Sequence, residues 1–210
     1  MTPEPFPHVV RRNWWSRDTL RAITAEFPPY DDPRWTHYPM HQERGKKAGD
    51  RRLWGSQTTD WFEYVRSRHF VRHLEQMTGI KGLVADELGG GMHCTGEGGR
   101  LGMHTDFSVH PQRPHMTRRL NLLVFLNEGW QPEWGGCLYL GRERQVRIVP
   151  EFNTTVIFET SARSWHGHPD PIAGDHLRRS LACYFYAPRQ AADELQTTTI
   201  WQDENARQVG

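Results

Sequence analysis

The chain has 210 residues, room for one domain with one sizeable core. Its 26 Lys and Arg against 25 Asp and Glu leave a formal charge of +1, without the basic surplus of a general nucleic-acid binder. The longest apolar run, LNLLVFL at 120–126, falls well short of the ~18 residues of a membrane span. The start, MTPEPFPHVV, lacks a basic segment followed by an apolar one, so no secretory signal is expected. Three isolated cysteines, Cys94, Cys137 and Cys183, argue for a reducing compartment and against a disulfide framework or a Cys-based zinc site. A cytoplasmic globular protein is the expectation.

In chain order, residues 6–10 (FPHVV) read as a strand. Ser16 then caps a helix over 16–27, with Leu20, Ile23 and Phe27 at helical spacing and Pro28-Pro29 ending it. Residues 28–58, rich in Pro, Arg, Lys and Gly, read as a long loop of the kind that forms functional lids. Thr59 or Asp60 caps a second helix, with Trp61, Val65, Phe70, Leu74 and Met77 on one face and Gly79 closing it. Beyond residue 80, short apolar segments at 83–88, 120–127, 137–141, 146–149, 154–160 and 180–188 alternate with Gly and Pro turn signals. Strands this short at this spacing predict a β-sandwich or barrel packed on the N-terminal helices. The expected organisation is a single domain over 1–210, with helical support and lid loops to residue 80, a β core over 81–188 and a polar tail or surface helix over 189–210.

His104-Thr105-Asp106 is the most informative motif. On a strand, residues i and i+2 project from one face, so the imidazole and carboxylate can converge. His166 lies 60 residues after Asp106, at the expected end of a strand beginning near Thr154. Two His and one carboxylate form the facial set that holds non-haem Fe(II) and leaves positions open for substrate and dioxygen. With 12 His in the chain, the spacing alone also admits solvated or hydrogen-bonded structural histidines.

Further segments extend the pattern: HTDF at 104–107, RRLNLLVFLNEGW at 118–130, WGGCLYL at 134–140, residues 150–158, SWHGHPDP at 164–171 and RRSLACYFY at 178–186. In this order and spacing they resemble the Fe(II)- and 2-oxoglutarate-dependent dioxygenases, specifically the prolyl 4-hydroxylase-like branch, over about residues 89–188. The resemblance implies a double-stranded β-helix, a jelly-roll barrel mainly of β-strands with flanking helices. It implies three cofactors and cosubstrates, Fe(II), 2-oxoglutarate and O2, with His104, Asp106 and His166 as metal ligands and catalytic residues.

In that family the far carboxylate of 2-oxoglutarate meets a cation on the strand after the distal His. Here Arg178 and Arg179 are the candidates, and adjacent strand residues face opposite sides. The Arg-x-Ser pattern favours Arg178, with Ser180 beside it. On the strand at 119–127 the inward set is Asn121, Leu123 and Phe125. Phe125 stands where many relatives carry a tyrosine hydroxyl. Asn121 either donates to the iron-bound carboxylate or satisfies backbone groups at an edge. Leu138 reads as an apolar wall, His168 as a pocket-rim residue, and the Arg-Lys cluster at 44–52 as a solvated loop.

The implied activity is hydroxylation of an unactivated C–H bond with release of succinate and CO2. Halogenating relatives replace the carboxylate with a small residue, and Asp106 is intact here. The favoured substrate is a small molecule such as an amino acid, a sugar or a biosynthetic intermediate; a prolyl residue of a peptide or protein is the alternative. A non-catalytic jelly-roll binding module is the competing reading from another class. A cupin-type metalloenzyme is disfavoured because the closely spaced His pair with a nearby Glu is missing.

Overall fold

The computed structural model describes residues 1–202. The N-terminal part contains β1 (His8–Arg12), α1 (Arg17–Ala25), β2 (Thr36–His37), β3 (Lys46–Gly49), α2 (Ser56–Arg66) and α3 (Arg68–Thr78). The rest is β4 (Val84–Thr95), β5 (Leu101–Thr105), β6 (Met116–Phe125), β7 (Leu138–Leu140), β8 (Val146–Ile148), β9 (Thr154–Glu159), β10 (His166–His168), β11 (Arg178–Pro188) and β12 (Ile200–Trp201). The strands form two antiparallel sheets, a larger one in the order β1-β9-β6-β11-β4-β3-β2 and a smaller one in the order β12-β5-β10-β7-β8. This is the mainly β, jelly-roll architecture expected from the strand pattern.

Alternation along β6 divides the core. Leu120, Leu122 and Val124 pack with Leu181, Cys183 and Phe185 of β11 against the helices, where Leu20, Ile23, Phe62, Val65 and Leu74 are buried. Phe125 points the other way and joins Leu138, Leu140, Val156 and Phe158 in a smaller cluster. The helices thus cover one face of the large sheet and leave its other face to line the interior of the barrel.

The helices are capped economically. Ser16 accepts from the Thr19 amide at 3.3 Å, as its position predicts. The N-cap of α2 is Gly55, which has no side chain to offer. The Glu26 carboxylate takes over that role, accepting from the Gln57 and Thr58 amides at 2.8 Å each and from the Thr58 hydroxyl at 2.6 Å. A Cβ at position 55 would lie 2.3 Å from Glu26 Cδ, so glycine is what lets the end of α1 cap α2.

Four sequence expectations change. The single helix after Thr59 is two helices, because Ser67 takes an extended conformation and caps α3 by accepting from the Phe70 amide at 3.2 Å. Gly79 ends α3 in the left-handed region, at φ 77°, as expected. The loop expected over 28–58 contributes β2 and β3, and β3 pairs with β4 to extend the large sheet. His166 does not end the strand that begins at Thr154; it opens β10, in the other sheet. The polar tail is neither loose nor helical as far as residue 202, since it contributes β12 beside β5; the rest of it lies outside the described residues.

Candidate active site

His104 and His166 are register partners across the β5–β10 pair, with ring centroids 4.3 Å apart. Asp106 sits one residue past the end of β5, and its carboxylate reaches back between them. Its Oδ1 lies 3.7 Å from His104 Nε2 and its Oδ2 lies 3.4 Å from His166 Nε2. One donor atom from each of the three falls within 4.8 Å of the others, and all three residues are inside the cavity.

The tautomers follow from the second ring nitrogens. His104 Nδ1 is 2.8 Å from the Gly102 carbonyl and His166 Nδ1 is 2.9 Å from the Ser164 carbonyl. A carbonyl oxygen only accepts, so both Nδ1 atoms carry a proton, and each ring turns its Nε2 toward Asp106. Burial, with the neighbouring His104 ring, pushes the His166 imidazole down to about 3, which keeps it neutral. Burial raises the Asp106 carboxyl, but the Arg118 guanidinium beside it outweighs that and holds it well below the usual carboxylate range. Two imidazole Nε2 atoms and one ionised carboxylate around one point suit Fe(II).

Asn121 and Arg118 hold that carboxylate from the large sheet. The Asn121 amide donates to Asp106 Oδ2 at 2.8 Å, and Arg118 Nη2 approaches the same oxygen at 3.2 Å. Arg118 Nε donates to Asn121 Oδ1 at 2.7 Å, and its guanidinium lies 3.5 Å from the centroid of the Tyr184 ring. Strict alternation from Asn121 would have turned Arg119 inward and Arg118 outward. A bulge prevents this: Phe185 pairs with Leu120 and Tyr186 with Arg118, which leaves Arg119 as the extra residue. Arg118 is consequently 2% exposed and faces the site.

Arg178 and Ser180 are also buried on the inner face of β11, whereas Arg179 lies on the outer side. Arg178 Nε donates to the Gly136 carbonyl at 2.7 Å, and its guanidinium carbon is 4.8 Å from the Phe125 centroid. Burial pushes Arg178 down to about 10, still protonated at neutral pH. No carboxylate of the described residues forms an ion pair with it. A buried guanidinium without an acidic partner calls for an anion, and the far carboxylate of 2-oxoglutarate fits that need. Leu123, Leu138 and His168 complete this end of the cavity. His168 is buried to 3% exposure and therefore lies inside the site, not at its rim.

Lys46, expected in a solvated loop, also lines the cavity. Its ammonium is 2.9 Å from Glu43 Oε1 and 4.4 Å from the centre of the Tyr38 ring. No sequence signal distinguished it within the 44–52 cluster, because its placement follows from β3 joining β4. The cavity around the triad is narrow, about 80 Å³. A larger one of about 770 Å³, walled by Trp130, Trp134, His176 and Arg179, lies across β11 and includes none of the triad.

Residues 90–186 match the sequence model of the 2OG-Fe(II) oxygenase superfamily, and this stretch of the chain belongs to that family. The protein is an Fe(II)- and 2-oxoglutarate-dependent dioxygenase, with O2 as the further cosubstrate. The fold is similar to a Pseudomonas putida prolyl-4-hydroxylase, at 20% identity and TM-score 0.64 over 87% of this chain and 93% of that one. It is similar to a Trichoplax adhaerens prolyl hydroxylase solved with a hypoxia inducible factor peptide, at 17% identity and TM-score 0.63 over 85% and 83% of the two chains. HygX from Streptomyces hygroscopicus, solved with nickel, 2-oxoglutarate and hygromycin B, is similar at 11% identity and TM-score 0.59, over 93% and 92%. No curated protein sequence matches the chain. Among the described residues no helix is long and apolar enough to cross a membrane.

Proposed function

We propose that His104, Asp106 and His166 hold the Fe(II), that Arg178 and Ser180 anchor 2-oxoglutarate, and that the enzyme hydroxylates a C–H bond of a small molecule. The observation that carries this reading is the pairing of a buried His-Asp-His cluster with a buried, acid-free guanidinium in one cavity. When bound, the iron and cosubstrate supply oxidative decarboxylation of 2-oxoglutarate and oxidation of the substrate. The chain's own residues do the rest. His104 and His166 present their Nε2 atoms to the metal position. Asn121 and Arg118 fix the Asp106 carboxylate and keep it ionised. Arg178 supplies a paired donor fork for the far carboxylate, and the Phe125 ring beneath it excludes water. Phe125 offers no hydroxyl, so Ser180 is the neighbouring polar group.

The narrowness of the cavity favours a small substrate over a folded protein. Three free, buried cysteines suit a cytoplasmic enzyme. A prolyl residue in a peptide is the second reading, favoured by the likeness to two prolyl hydroxylases. Succinate formation, followed with Fe(II) and 2-oxoglutarate against a metabolite library and a set of proline-containing peptides, tests both. The expected result is stimulation by a small metabolite. Stimulation by the peptides alone refutes the small-molecule reading. No iron-dependent succinate under any condition refutes the assignment of the site.

A further inference from the structure

We propose that the segment 194–202, beyond the family-matched residues, completes the metal site, with Gln196 as a positioning residue for Asp106 and Trp201 as one for His104. The proposal rests on the triad assignment given above. Asp106 lies one residue past β5, so strand pairing ends just before the ligand that must be held most closely. Gln196 takes over there. Its Nε2 donates to the Asp106 carbonyl at 2.9 Å and to the Thr105 carbonyl at 3.1 Å, and the side chain is buried. Its backbone is pinned in turn: the Gln196 amide donates to Ser108 Oγ at 2.9 Å, and the Ser108 amide donates to the Gln196 carbonyl at 2.7 Å. The ligand loop and the returning chain therefore hold each other on both sides of Asp106.

β12 continues this arrangement. Ile200 pairs with Thr105 and Trp201 with His104, and the Gln202 amide donates to the Met103 carbonyl at 2.8 Å. Antiparallel partners project on the same face. The indole accordingly lies beside the imidazole, with centroids 4.9 Å apart. The His104 ring is thus held by the Gly102 carbonyl at its Nδ1 and by Trp201 along its side, while Nε2 stays free. Outer partners of this kind typically carry about 10–100-fold in metal affinity.

Co(II) titration of the metal-free, full-length protein, read from the cobalt absorption bands, provides the test together with thermal melting of the same metal-free samples. Gln196→Ala should weaken Co(II) binding on the order of tenfold. Gln196→Glu should be at least as damaging, because a carboxylate would face two carbonyl oxygens; a side chain that merely fills space would tolerate it. Trp201→Ala should also weaken binding, and Trp201→Phe should restore most of it. Gln190→Ala, in the exposed turn after β11, should leave affinity unchanged. Variants that melt at lower temperature but bind Co(II) like the wild type would assign the segment a purely structural role and overturn the proposal. A wild type that takes up no Co(II) overturns the triad assignment and this proposal with it.

Discussion

Arg178 and Arg179 are adjacent and chemically identical, yet the strand assigns them opposite surroundings. Arg178 is buried against Phe125 with no acid, whereas Arg179 lies in the outer cavity and holds Asn127 through its backbone amide at 2.7 Å. With Arg178 as the proposed anchor, Arg178→Leu should leave the far carboxylate of the cosubstrate buried without a partner, a loss of about 3–5 kcal/mol. The KM for 2-oxoglutarate should rise by several hundredfold, and Arg179→Leu should change it little; steady-state kinetics on both variants checks the register. His166 gives a second prediction at this scale. Its folded value of about 3 lies below the ordinary histidine value of 6.5. Between those values the unfolded chain binds a proton that the folded one refuses, so stability falls as pH drops. Linkage makes the loss about 2 kcal/mol between pH 7 and 5 for the metal-free protein. Urea melts of the metal-free protein at the two pH values measure it, and His166→Gln should flatten the difference. These residues were legible in the sequence because strand alternation assigns faces: Arg178, Ser180, Asn121, Leu123 and Phe125 all face the barrel interior. Arg118 was not legible, since one bulge at Arg119 reverses the alternation before Asn121. No local pattern announces a bulge.

At the scale of elements, the sequence was clearest where period and cap agree. The apolar segments at 120–127, 154–160 and 180–188 correspond to β6, β9 and β11, and Ser16 and Gly79 mark helix ends as their chemistry predicts. It was least clear where an element exists only through its neighbour. The break at Ser67 keeps the helical spacing of apolar residues almost intact on both sides, so periodicity reads one helix where capping makes two. β3 carries the sequence KKAG, and β12 has two residues. KKAG lacks strand propensity and Ile-Trp is too short to be read as a strand; each forms because the edge of β4 or β5 offers unpaired backbone groups. β10 is another such case. Three residues, His-Gly-His, form a strand because β5 and β7 flank them, and their pairing sets His166 opposite His104. The His-Asp-His cluster was therefore visible as a motif, while the geometry that assembles it depends on a strand too short to be read.

The two sheets share the site unequally, and this has a consequence for the whole molecule. His104 and His166 belong to the smaller sheet and Asp106 to the loop leaving it, whereas Arg178 and Ser180 belong to the larger sheet. A metal ion held by the triad ties together one sheet and its loop. A cosubstrate held by both the metal and Arg178 ties that sheet to the other, across an interior whose apolar cluster is small beside the helix-covered core. Stabilisation by a ligand that binds only the folded state grows with its occupancy, to about 2.7 kcal/mol at a hundred times its Kd. For a chain of this length each kcal/mol moves Tm by about 2–4 °C. Co(II) alone should therefore raise Tm by several degrees, 2-oxoglutarate should add a further increment only when Co(II) is present, and a chelator should reverse both. Asp106→Ala should abolish both increments. Arg178→Leu should keep the first and lose the second. Differential scanning calorimetry of the three proteins separates the steps, and a 2-oxoglutarate increment that survives in Arg178→Leu would show that the larger sheet does not hold the cosubstrate through this residue.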